Sequence, residues 1–279
     1  MKNKIIILTL ILVFFPSKVL AAEKNFSITC SLFPVYDFAK QVAGNEADVN
    51  LLLKPGVEPH EFEPSPLDIK ILNDSDVFIF TGEHMEHWAK EISNSLHDVQ
   101  IIDASEKIKI LEGDPHIWLD LNKAQAMVMN ISEGLSRARP EKSEIFRRNA
   151  EDFCKKLAEL DKKFAALKKD FDDKTLVFAG EFAFNYFIKR YDFNFISAYD
   201  GENEPSIKRM AEVLKFIKEN DVKYILAGSL EISAITHSIA EQTGTEILFF
   251  DAAESVPQNS RTFLEIMTAN YESLLLINN

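Results

Sequence analysis

Cysteine is nearly absent: the 279 residues hold two, Cys30 and Cys154. Neither a CxxC pair nor a zinc-finger spacing can be built from them, which excludes thiolate metal clusters and dithiol redox motifs. A phosphate-cradling glycine loop, a GxSxG elbow and an HExxH helix are also missing. Positive charge is scarce: 31 Lys and Arg stand against 44 Asp and Glu, a formal net charge of −13. A phosphate polyanion needs a basic patch, so nucleic acid is excluded as a partner. An acidic surface suits a cationic ligand, but only weakly points to one. No low-complexity run, flexible linker or sequence-level repeat stands out.

What is present is a chain of 46% hydrophobic and 27% charged residues, the balance of a soluble globular protein, long enough for two domains. Its N-terminus has Lys2 and Lys4 before an apolar run at 5–15 and small residues at Ala21 and Ala22. That run is too short to span a bilayer as a mature helix. It reads as a cleaved secretory signal over 1–22. Losing Lys2, Lys4 and Lys18 with it takes the formal charge from −13 to −16. Cys30 lies well past the cleavage region and lacks the small-residue run of a lipid-attachment box. The expected product is therefore free in the periplasm, without a lipid anchor. Such a compartment permits disulfides. One Cys falls in a predicted strand and the other beside the apolar seam of a helix, however, and two free thiols are favoured over a bridge.

That helix covers 141–172. Phe146, Ala150, Phe153, Leu157, Leu160, Phe164, Leu167 and Phe171 step by four and three, with charged residues between them. The spacing draws one apolar seam along one helical face. Pro140 suits the first turn, and Glu141 and Glu144 suit the positive end of the helix dipole. About 30 residues at 1.5 Å each make a rod of roughly 45–48 Å. One domain of this size can hardly cover such a rod, so it should lie along two. A coiled-coil dimer is the alternative, but the seam ends after three and a half heptads.

Before and after the rod the pattern alternates strand and helix with short connections, about four units on each side. Alternation of this kind predicts parallel sheets wrapped by helices. The expected fold is α/β: an N-terminal lobe at 23–140, the linking helix at 141–172 and a C-terminal lobe at 173–279.

Ligands of parallel α/β sheets bind beyond the carboxyl ends of the strands. Four chemically capable side chains fall there: His60 and His116 in the first lobe, Glu181 and Asp251 in the second. Singly, each has an ordinary reading as a capping or first-turn residue. As a set, two imidazoles and two carboxylates make a site for a divalent transition metal between the lobes. Asp114 and Asp120 flank His116 and are candidates to orient its ring. His84 and His87, with Glu83 and Glu86, offer a weaker second site, against which a solvated helix face is much favoured.

The stretches PGVEPHEFEPSP, GDPHIWLD and FAGEFAFNYFIKRYDF, with ENEPSIKRMAEVLKFIKENDVKYIL and FFDAAES, resemble the zinc- and manganese-binding solute-binding proteins of bacterial ABC importers. The resemblance runs in order over the mature chain. It implies two α/β lobes joined by a long helix, a metal in the interlobe cleft, and delivery to a membrane permease by a monomeric receptor. It also carries the ligand roles onto His60, His116 and Asp251. Zinc-type members commonly have His where this chain has Glu181, and manganese-type members have Glu. The His-rich loop of many zinc-type members is missing too, since 104–113 contains no His. Glu204-Pro205-Ser206, by contrast, follows the zinc-type wording. The balance leans slightly to manganese, although zinc should bind such donors tightly in vitro. Two other readings stay open: a metal-dependent hydrolase with Glu58, Glu61 or Glu63 as base, and a receptor for a small organic or chelated ligand.

Overall fold

The computed structural model describes residues 25–171, 174–180, 182–199, 205–228, 232–256 and 260–278. The first sheet is formed by β1 (Ser27–Cys30), β2 (Asp48–Leu51), β3 (Val77–Phe80) and β4 (Gln100–Asp103), all parallel, in the order β2-β1-β3-β4. The second repeats the same winding with β5 (Thr175–Phe178), β6 (Asn194–Ser197), β7 (Tyr224–Ala227) and β8 (Glu246–Phe249), in the order β6-β5-β7-β8. The chain therefore repeats its topology without repeating its sequence.

Helices α1 (Phe33–Ala43), α2 (Pro66–Asn73), α3 (His87–Ser93) and α4 (Leu121–Ala138) belong to the first lobe. In the second lie α6 (Asn185–Tyr191), α7 (Ile207–Glu219), α8 (Ala234–Thr243) and α9 (Phe263–Asn278). Between the lobes runs α5, Ser143–Asp170, 28 residues and about 42 Å long. All eight seam residues, from Phe146 to Phe171, are buried. Along its length α5 packs first on α1 and α4, then on α6 and α9. Each large apolar side chain so buried contributes about 1.5–3 kcal/mol. The buried core runs without a break from Phe26 through α5 to Leu274, so the seam welds the two lobes into one hydrophobic interior.

Three local differences from the sequence expectation have physical causes. Pro140 opens a separate 3-10 turn, Pro140–Lys142, and α5 starts only after it. Helix α3 begins at His87, later than its apolar pattern suggests. The buried Glu86 carboxylate accepts from the Ser31 hydroxyl and from the Thr81 and Gly82 N–H groups, which holds the preceding turn out of helix. Burial pushes that carboxyl up to about 7. Finally, Asp161 interrupts the seam with a buried charge. It accepts two bonds from Arg190 on α6, at 3.0 and 2.7 Å, and one from the Tyr191 hydroxyl at 2.8 Å. Arg190 also lies 3.6 Å from Asp120, the N-cap of α4. One guanidinium thus ties both lobes to the rod.

Cys30, buried in β1, and Cys154 on α5 are both free thiols. No helix among the described residues is long and apolar enough to cross a membrane.

Candidate metal centre

His60 follows β2 on an exposed loop, with buried Pro59 as its inner anchor. Its backbone N–H donates to Glu58 Oε1 at 3.2 Å. His116 is held far more firmly. Asp114 Oδ1 accepts from its backbone N–H at 2.9 Å and lies 2.7 Å from ring Nδ1. That contact fixes the ring and directs Nε2 outward, the orientation that metal-binding imidazoles need. Trp118 closes the ring's other side, edge-on at 5.4 Å between centroids.

The third group is Glu254. Its Oε1 lies 3.0 Å from His116 Nε2, and its Oε2 lies 4.0 Å from His60 Nε2. The two imidazoles stand 5.2 Å apart, tilted by 62°. Among the described residues, His60, His116 and Glu254 form the group whose ligand atoms all lie within 4.8 Å of one another. Donors around a tetrahedral zinc ion, bound at about 2.1 Å, sit roughly 3.4 Å apart. The contacts at 3.0 and 4.0 Å bracket that spacing.

The His116–Glu254 contact is an ion pair by distance, but it does not meet hydrogen-bond geometry. Among the described residues, the buried nitrogen His116 Nε2 and the buried oxygen Asp114 Oδ2 have no aligned partner. Burial disfavours the charged ring of His116, but the carboxylates of Asp114 and Glu254 outweigh it and raise its pKa to about 10. Glu254 feels burial pushing it upward, yet His116 and His60 hold its carboxyl below the ordinary range. Asp114 is lowered too: His116 beside it overcomes burial.

Of the four residues expected from sequence, the structure brings His60 and His116 together. Glu181 lies outside the described residues. Asp251, the fourth residue expected from sequence, is not in that group. Its Oδ1 accepts from Ala253 N–H at 2.8 Å, turning the carboxylate into its own loop. Glu254, three residues on, reaches the histidines instead. Its signal was legible: a second carboxylate in the same post-strand segment FFDAAES. The weaker pair, His84 and His87, forms no such group among the described residues, and Glu83 beside them is paired with Lys90 at 2.6 Å.

Two parallel-sheet lobes on a helical rod, with metal-capable donors from strand ends of both lobes meeting between them, define a two-lobed metal-receptor architecture. The chain belongs to the family of the zinc-uptake complex component A, periplasmic (ZnuA), whose profile matches residues 28–275. The zinc-binding protein AdcA of Streptococcus pyogenes serotype M6 is 33% identical over 99% of this chain and 62% of its own length. The chain thus spans about three fifths of the length of that relative. The high-affinity zinc uptake system protein ZnuA of Bacillus subtilis is 28% identical over 88% of this chain and 86% of its own. The Zn(II)-bound ZnuA-like domain of Streptococcus pneumoniae AdcA superposes with a TM-score of 0.80 at 31% identity, covering 91% of this chain and 99% of that domain.

The comparisons also correct the expected location. Two AdcA relatives from Streptococcus pneumoniae, each 30% identical over 91% of this chain and 56% of their own length, are named zinc-binding lipoproteins. That overturns the expectation of a free periplasmic protein without a lipid anchor. The signal segment expected at 1–22 lies outside the described residues.

Proposed function

We propose that this chain captures a divalent transition-metal ion between its lobes, zinc foremost, and delivers it to an ABC-type permease. The observation that carries the reading is the convergence of His60, His116 and Glu254 from loops of both lobes onto one point. The lobes are assigned as 23–140 and 173–279, with 141–172 between them. Glu181, three residues past the end of β5, is proposed as the fourth donor on the strength of the family resemblance.

The chemistry of capture follows from the residues. His116 must give up the Nε2 proton to bind a cation, while Asp114 keeps hold of Nδ1. Glu254 supplies a carboxylate whose charge the departing proton leaves uncompensated, and the ion replaces that proton. Four protein donors close the coordination shell, which suits carriage and leaves no position for an attacking water. The chain is therefore assigned as a receptor and not an enzyme, acting as a monomer without nucleic acid.

Zinc is favoured over manganese because two imidazoles dominate the described donors and because the relatives are named for zinc. Manganese is the second reading, motivated by Glu181, which would make the donor set half oxygen. Titrating the metal-free protein with zinc and then with manganese against a competing chelator tests both. The expected result is one zinc per chain, with manganese displaced at equal concentration. The same titration of Glu181→His should move preference further to zinc, and an unchanged ratio would remove Glu181 from the site. A chain that binds neither ion would overturn the reading.

A further inference from the structure

Glu254 stands on a stretch with no regular secondary structure, yet this stretch is pinned at each step. The N–H of Asp251 donates to Asn270 Oδ1 at 2.8 Å, and the Asn270 amide donates back to the Asp251 carbonyl at 2.8 Å. Asn270 lies on α9 and is 1% exposed. Asp251 Oδ1 then accepts from Ala253 N–H at 2.8 Å, and Ala253 takes the left-handed conformation, φ +54°. A side chain with a Cβ rarely adopts that conformation without neighbours to enforce it. Between them, the carbonyl of Ala252 accepts from the indole N–H of Trp118 at 2.7 Å. Trp118 sits two residues beyond His116, on the opposite lobe.

We propose that Asn270 and Asp251 are positioning residues for the ligand Glu254: together they fold residues 251–254 so that the carboxylate of the fourth residue, and not that of the first, faces the histidines. The assignment rests on the metal-receptor reading given above. Only a primary amide can serve both backbone groups of Asp251 at once, since it offers one acceptor and one donor on a single planar fork. A carboxylate at 270 loses the donor, and an aliphatic side chain loses both. Asp251 needs only an acceptor oxygen at Oδ1, so its negative charge is dispensable in this role. Trp118 adds the cross-lobe tie, which sets the distance between the His116 segment and the Glu254 loop.

Asp251 and Asn270 could instead serve folding alone, and a double-mutant cycle on zinc affinity in the full chain separates the two roles. Asn270→Leu should weaken zinc binding by about 10–100-fold, the usual cost of losing support behind a ligand. In a Glu254→Gln background the same substitution should change affinity by less than about 2-fold, since the group it aims is already gone. Equal effects in both backgrounds would overturn the proposal. A second pair of variants does not depend on Asn270→Leu folding. Asp251→Asn keeps the oxygen that accepts from Ala253 and should bind zinc like the parent chain, whereas Asp251→Ala should weaken binding. Asp251→Asn failing as badly as Glu254→Gln would make Asp251 a direct ligand and end the proposal. Should the parent chain itself take up no zinc, the failure lies with the metal reading.

Discussion

His60 hangs on a loop whose residues from 54 to 58 are all exposed. Two long backbone bonds brace it, Val57 N–H to Lys54 carbonyl at 3.2 Å and Phe62 N–H to Pro59 carbonyl at 3.4 Å. Glu254 hangs on a loop that four bonds of 2.7–2.8 Å fasten to α9, to itself and to the opposite lobe. Both side chains arrive in the same group, their ligand atoms within 4.8 Å of one another. One is delivered by an exposed strap held by longer backbone bonds, the other by a clamp of shorter ones. Short, buried hydrogen bonds keep geometry fixed, while exposed backbone with sparse contacts opens at low cost. Under the proposed function, the difference assigns the Glu254 loop to a preformed half of the site and the His60 loop to a more pliable half.

The sharpest break of this comparison is removal of either imidazole. His116→Ala and His60→Ala should each abolish the rise in melting temperature that zinc produces, while His84→Ala should keep it. Ligand at 1,000 times Kd stabilises by about 4 kcal/mol, so the lost shift is easily read in thermal unfolding. The two variants should differ without metal. His116→Ala leaves Asp114 and Glu254 facing each other without a cation and should lower the metal-free melting point, whereas His60→Ala should hardly change it.

Protons give the next largest effect. The His116 pKa is raised in the fold, to about 10 from an ordinary value of 6.5. Its stabilisation of the metal-free chain is therefore complete below pH 6.5 and is lost as pH rises through about 10. The metal-free melting temperature should fall over that window, and the zinc-loaded one should not follow it. Near pH 8, zinc binding should release about one proton from this ring, measurable by calorimetry in buffers of different ionisation heat. Binding heat that is independent of buffer would contradict the charged ring.

Amide hydrogen exchange addresses the two loops directly. Amides at 56–63 should exchange quickly without metal and slow on zinc addition, while those of Asp251 and Ala253 should be protected in both states. Equal protection would dissolve the contrast between strap and clamp. The smallest effect is expected at the rod: Arg190→Ala strips Asp161 of two of its bonds and should cost about 1–3 kcal/mol in denaturant unfolding, with zinc affinity within about 2-fold.

The rod was legible residue by residue because a 3.6-residue period has one interpretation at that length. His60 and His116 were singled out only as members of a set of metal-capable side chains in segments that follow strands, and the structure places these two side by side. Glu254 was not chosen, since the rule of strand ends selects Asp251, the nearer carboxylate. What reverses the order is a left-handed alanine and an asparagine 16 residues further on, contacts that no spacing rule contains. Asp161 was hidden for a related reason. A charge on a seam face looks like a flaw until its partners, 29 and 30 residues away, are seen.

The polypeptide passes from one lobe to the other through α5, and its helical hydrogen bonds resist twisting as paired crossover strands would not. A jaw-like opening of this molecule would have to bend a 28-residue rod and tear a shared hydrophobic interior. If the proposed metal-receptor function holds, loading and release then fall to the surface loops at the strand ends, and the frame formed by α5 and the shared core stays as it is.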